Sequence, residues 1–251
     1  MSIRASGRAH PAPIHPIGTV EHPIGHEHRD VSGGWLRPAV FGVVDGLVSN
    51  FGLIAGVAAG SSGYKPAMLA GVAGLFAGAF SMGSGEYISV RSQNESMQAE
   101  VDIERIELRD NAHAELEELT QIYIDRGVDP ELAQLVAEQL SRDPDQALEI
   151  HAQEELGVDI HDLPNPWQAM ISSFLSFSVG ALLPLVPFLF GADLLWLAAL
   201  LTLAGLFATG VLSSRFTSRS WAYSAGRLML VGACTFAVTY AIGHIVGANV
   251  S

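Results

Sequence analysis

The chain has 251 residues, 49% of them hydrophobic and only 16% charged, with a positive mean hydropathy and a formal net charge of −13. That balance is too apolar for an ordinary soluble domain of this size and points to membrane insertion. The charge is local: residues 93–163 hold 20 of the 26 acids and four of the 13 basic residues, a pattern that disfavours nucleic acid or anionic lipid as partner of that segment and favours cations.

Residues 1–34 are rich in Pro, Gly and His and lack an apolar run of signal-peptide length, so they read as a disordered tail that is not cleaved. The tail's His10, His15, His22, His26 and His28 either hold a metal loosely, as "GHEH" can, or are incidental. Five apolar segments follow, near 38–60, 67–90, 167–190, 194–213 and 224–247. Each is long enough, at about 1.5 Å per helical residue, to cross a hydrocarbon core of roughly 30 Å.

In the first segment, "VFGVVDGLVSNFGLIAG", Asp45 lies about 12 Å beyond Arg37 along a helix. A carboxylate at that depth is costly and marks a functional position, and Asn50 can line the same route. In the second, Met82 and Glu86 stand four residues apart on one face. Met82 is either core packing or, beside Glu86, a soft ligand for a transition metal. Gly42, Gly46, Gly52, Gly56 and Gly60, with Gly74 and Gly78, have the spacing of close helix contact.

The acidic segment is helical in pattern. It reads as one helix continuing to about Arg126, a break at "RGVDP", a helix from about Pro130 to Arg142 and another from about Pro144 to Leu156. On the first, Glu104, Glu107, Glu115 and Glu118 fall within an arc of about 80° and include like-charge neighbours that oppose helix formation. Such a stripe is either a solvated acidic face or a set of hard oxygen ligands for divalent cations. In "EIHAQEELG", His151, Glu154 and Glu155 add an imidazole that shifts the choice toward transition metals. On a continuous helix the pairs Glu104/Glu107 and Glu115/Glu118 are about 16 Å apart, which predicts more than one metal site.

The third apolar segment carries Pro184 and Pro187 in "GALLPLVPFLF"; the carbonyls they free need protein or water partners, whether as a plain kink or along a pathway. Cys234, in the fifth, is the one cysteine and excludes an intrachain disulfide or Cys-based zinc cluster. An odd number of spans puts the two termini on opposite sides. With the N-terminus cytoplasmic, Arg29, Arg37, Arg91, Arg215 and Arg219 all fall on that side with the acidic segment, leaving Lys65 opposite.

"DGLVSNFGLIAG", "SMGSGEYISVRSQNE", "GALLPLVPF" and "GRLMLVGACTFAVTYAIGHIVG" together resemble the vacuolar iron transporter family, with its nodulin-like relatives, over about residues 36–248. The resemblance implies a homodimeric, five-helix membrane transporter, not an enzyme, that exports Fe²⁺ or Mn²⁺ from the cytosol in exchange for protons. It needs no prosthetic group and, in bacteria, sits in the inner membrane. It places Asp45 and Met82, with Glu86 beside them, on the translocation path. Glu104, Glu107, Glu115, Glu118 and Glu155 fall on the glutamates of a cytosolic metal-binding domain, with His151 where relatives carry methionine. The expected fold is thus an all-α membrane protein: tail 1–34, spans one and two in 35–92, a three-helix metal-binding domain in 93–163, and spans three to five in 164–251. Divalent metal ions, protons, membrane lipid and a second copy of the chain are the expected partners. The rivals are a membrane-anchored di-iron oxidase of ferritin type, which would use Glu-x-x-His motifs that the acidic segment lacks, and a non-transporting acidic interaction module.

Overall fold

The structure, a computed structural model, describes residues 36–191, 194–215 and 219–250; the histidine-rich tail lies outside them. Among the described residues, eight helices follow in chain order: α1 (Leu36–Gly60), α2 (Tyr64–Asp110), α3 (Ala112–Asp125), α4 (Pro130–Leu140), α5 (Pro144–Glu154), α6 (Pro166–Leu189), α7 (Leu195–Ser214) and α8 (Trp221–Val250). Five of them, α1, α2, α6, α7 and α8, are long and apolar enough to cross a membrane. The elements between α2 and α6 are short and acidic.

Local chemistry sets the boundaries. Gly63, at φ 81°, makes the turn between α1 and α2 in a region that other residues avoid. Three helices start with an Asx residue followed by proline. Asp129, Asp143 and Asn165 each accept a backbone N–H of the first turn, and Pro130, Pro144 and Pro166 take the position whose N–H would have no partner.

The membrane helices are built around α1, which touches α2, α6, α7 and α8. Between helices in lipid there is no strong hydrophobic drive, so close backbone approach and polar pairing must do the joining. At the α1–α6 crossing, Gly46 faces the Phe177 carbonyl and Gly180 faces the Val43 carbonyl, leaving no room for a side chain on either glycine. Where α1 crosses α8, Gly243 faces the Gly56 carbonyl in the same way, and Gly56 faces the Thr239 carbonyl. Phe51, Ile54, Ala55, Leu185 and Phe188 fill the buried core between these contacts. Large apolar side chains such as Phe76, Leu175, Leu200 and Leu230 point outward, where lipid would lie.

Both prolines of α6 sit inside a helix that stays continuous. One residue beyond the Gly180 carbonyl that Pro184 leaves without an N–H, Asn50 of α1 donates its side-chain N–H to the Ala181 carbonyl at 2.7 Å and so ties α1 to α6.

One expectation is corrected. The helix that starts in the second span does not run to Arg126. It ends at Asp110, and α3 begins afresh at Ala112. Asn111 takes φ −127° and ψ 31°, its backbone N–H bonds the Glu107 carbonyl, and its side chain donates to the Glu107 carboxylate. Asparagine competes for such local bonds better than it sustains a helix interior. The acidic segment is therefore the end of α2 plus three short helices.

The packing predicts an asymmetry between glycines. Gly46→Val forces a branched side chain against the α6 backbone and should lower the melting temperature in detergent sharply, whereas Gly85→Ala, where an added Cβ meets nothing within 4 Å, should leave it unchanged or raise stability by up to about 1 kcal/mol. Equal melting temperatures for Gly46→Val and the wild type would contradict the backbone contact.

Candidate metal centre and membrane cleft

Four potential ligands converge where α2, α3 and α5 meet. Glu104, Glu115, His151 and Glu155 each offer one ligand atom, all within 4.8 Å of one another. The break at Asn111 makes this possible, because eleven residues of continuous helix would hold Glu104 and Glu115 about 16 Å apart. The premise for two separated sites on one helix is thereby removed, and the two glutamates belong to one cluster.

The polar arithmetic of this cluster does not close. His151 is fully buried, and its Nδ1 faces three carboxylates: Glu155 Oε1 at 2.7 Å, Glu104 Oε1 at 3.0 Å and Glu115 Oε2 at 3.7 Å. One ring nitrogen carries at most one proton. Whichever carboxylate takes it, the others go without; the nearest, Glu155 Oε1, is at 2.7 Å, and the buried Glu104 Oε1 makes no hydrogen bond despite its short distance. The surplus of acceptors has the composition of a divalent-cation site, with carboxylates for a hard ion and one imidazole favouring Mn²⁺, Fe²⁺ or their neighbours over Mg²⁺ or Ca²⁺.

The electrostatics register the same surplus. Burial, then the neighbouring Glu155 charge, pushes the Glu104 carboxyl up to about 7; Glu115 and Glu118 add to the shift and His151 opposes it. Glu115 is also raised, first by burial and then by Glu118, with Glu155 and Glu107 adding and His151 again opposing.

The other expected ligands of the acidic segment stand outside the four-residue cluster. Glu107 accepts from Asn111. Glu118 is exposed and acts on Glu104 and Glu115 through its charge. Glu154 is paired with Arg126 and hydrogen-bonded to Tyr123. Neither Tyr123 nor Arg126 is picked out by sequence patterning, because their partner lies on another helix.

In the membrane helices, Asp45, Asn50 and Met82 come together on one cleft of about 350 Å³ between α1, α2 and α6. Ser49 and Ser81 line it as well and escaped the sequence reading; the available signal was a hydroxyl four residues from Asp45 and another next to Met82. Ser49 Oγ donates to the Asp45 backbone carbonyl. Asn50 is 2% exposed, and while its N–H is used on α6, its Oδ1 is buried without a partner and faces Gly74 of α2. Glu86 lies one turn past Met82 and does not line the cleft.

Residues 36–244 match the VIT family. A vacuolar iron transporter of Acanthamoeba castellanii is 35% identical over 235 residues, covering 88% of this chain and 83% of its own. Vacuolar iron transporter 1 of Oryza sativa subsp. japonica is 30% identical, covering 88% of this chain and 90% of its own. That of Arabidopsis thaliana is 27% identical, with 88% and 89% covered.

A divalent cation at this cluster would compete with protons for the same carboxylates. Folded Glu104 keeps its proton to about 7 against an ordinary 4.5, so the folded chain binds more protons between those values. This group's contribution to stability is present below the lower value and lost as pH rises through the upper one. Metal-free protein should therefore lose stability across that window, and Glu104→Gln should flatten the loss. Mn²⁺ titrated near pH 6 should release more protons than near pH 8, read by calorimetry in buffers of different ionisation enthalpy. Identical proton release at both values would contradict the assignment.

Proposed function

The chain belongs to the VIT family, and from that membership we propose that it exports Fe²⁺ or Mn²⁺ from the cytosol, with protons moving the other way. It is an integral, multi-pass membrane protein with five helices of spanning length. Vacuolar iron transport is the activity named for its relatives. The observation that carries the proposal for this chain is the excess of carboxylates around His151 Nδ1, which a divalent cation would balance. In this reading residues 93–163 form a cytosolic domain that captures metal at Glu104, Glu115, His151 and Glu155, with Glu107 and Glu118 drawing cations toward it.

The route out of the cluster follows α2. Glu104 and Met82 lie on the same unbroken helix, 22 positions apart, or about 33 Å. At the membrane end Asp45 supplies charge, Met82 a soft sulfur and Asn50 an amide oxygen that has no other partner. Glu86 stands between cluster and cleft as an entry carboxylate. Asp45 would hold metal and proton in turn, which couples their movements in opposite directions. The arginine distribution supports a cytoplasmic N-terminus with the C-terminus on the other side, and a bacterial inner membrane is the proposed setting. A C₂ homodimer completes the reading, and a monomeric mass by light scattering, corrected for bound detergent, would count against it.

Uptake of radiolabelled Fe²⁺ or Mn²⁺ into proteoliposomes, with and without a pH gradient, tests the function. Asp45→Asn should reduce flux to background while leaving Mn²⁺ binding at the cluster intact. Met82→Leu conserves volume and should slow Fe²⁺ more than it destabilises the protein. Gradient-independent flux would remove proton exchange from the reading, and wild-type flux in Asp45→Asn would remove the proposed path.

A further inference from the structure

The ligand atoms of the cluster come from three helices, and their agreement within 4.8 Å needs α5 to be held in place. His151 and Glu155 occupy its last turn, where α5 ends at Glu154 with Glu155 as the cap. Helix ends fray unless something outside the helix holds them. Val101, Leu148 and Ala152 pack α5 onto α2, with Ala152 lying in that last turn. That contact does not reach α3, which carries Glu115 and packs on α4.

The missing tie is polar. Glu154, between His151 and Glu155 in sequence, lies outside the four-residue cluster with its side chain only 18% exposed. Its Oε2 is ion-paired with Arg126, and the Tyr123 hydroxyl donates to the same carboxylate. Tyr123 lies two turns along α3 from Glu115, on the same face, and Arg126 caps the end of that helix. Arg91, Arg105 and Arg109 pair with acids of their own helix. Arg126 instead joins two helices, and it does so beside the ligands. A carboxylate so enclosed holds its geometry far better than an exposed surface pair, because both a cation and a hydroxyl fix its direction.

We infer that Arg126 and Tyr123 are positioning residues of the metal centre: they hold Glu154 against the end of α3 and so fix the last turn of α5, where His151 and Glu155 face Glu104 and Glu115. Glu154 is then part of this clamp and not a ligand. The inference rests on the reading of the cluster as a metal site. Outer partners that orient ligands typically change metal affinity about 10–100-fold when removed.

The test uses the full-length protein in detergent, with Mn²⁺ affinity and stoichiometry from calorimetry, the visible spectrum at saturating Co²⁺, and the melting temperature of the metal-free form. Arg126→Ala and Glu154→Gln should each weaken Mn²⁺ about 10-fold or more, leave stoichiometry unchanged and alter the Co²⁺ bands. Arg126→Lys should recover most of the affinity by restoring the charge, and the double variant should be no weaker than either single one, since both remove the same contact. Tyr123→Phe, which removes only a hydroxyl, should give the same change in smaller degree and keeps the test decisive should Arg126→Ala fail to fold. A change in melting temperature with unaltered affinity and Co²⁺ bands would reduce the contact to general stability and overturn the inference. Loss of a bound ion in Glu154→Gln but not in Arg126→Ala would make Glu154 a ligand and overturn it equally. His151→Ala and Glu155→Gln separate the two layers: if they weaken binding while the clamp variants do not, the metal site stands and the clamp falls. If they too bind as the wild type does, the metal site itself is refuted.

Discussion

One buried imidazole nitrogen facing three carboxylates is the interaction on which the acidic half of the molecule turns. A single proton cannot satisfy three acceptors, and burial raises the cost of leaving them charged. The surrounding structure keeps them together all the same. Asn111 interrupts the helix so that Glu115 returns to Glu104, Asp143 and Pro144 start α5 at the right place, and apolar contacts from Val101 to Leu148 and Ala152 press α5 onto α2. Such concentrated local cost is the pattern of a binding site, where the ligand supplies the compensating energy.

The membrane half answers a different constraint. Its backbone polar groups have no water to fall back on, so every irregularity needs a protein partner. Asn50 ties α1 to α6 at the Ala181 carbonyl, while its unpartnered oxygen faces Gly74 beside the cleft. Its two ends thus have separate tasks, one structural and one directed at whatever occupies the cleft. Glycines at the α1–α6 and α1–α8 crossings bring the backbones close enough for that short side chain to reach across.

The two halves differed in how much the sequence disclosed. The five spans were legible because length and apolarity are properties of each segment alone, and the starts of α4, α5 and α6 were legible because Asx-Pro is a local signal. Asp45, Asn50 and Met82 were recognisable as polar or soft residues in apolar surroundings, and they do meet at one cleft. The break at Asn111 was not legible: the 3.6-residue pattern of glutamates runs straight through it, so periodicity favoured a continuous helix. The pairing of Glu154 with Arg126 is a tertiary contact between helix ends, beyond any pattern on α5 itself.

The raised Glu104 carboxyl links the two halves in one chemical scheme. A cluster fully ionised without metal would carry several negative charges in a half-buried space, and their repulsion would push α3 and α5 off α2. With Glu104 protonated up to about pH 7, part of that repulsion is absent until a cation arrives to replace the proton. On the proposed reading the proton acts as a placeholder that keeps the ligands assembled until a divalent cation displaces it. In the proposed function, metal binding there would be weaker than in a permanently ionised site, as a station that must release its metal again requires. For the proposed path along α2, such moderation matters, because an ion held too tightly at the first carboxylates would never travel the remaining turns to the cleft.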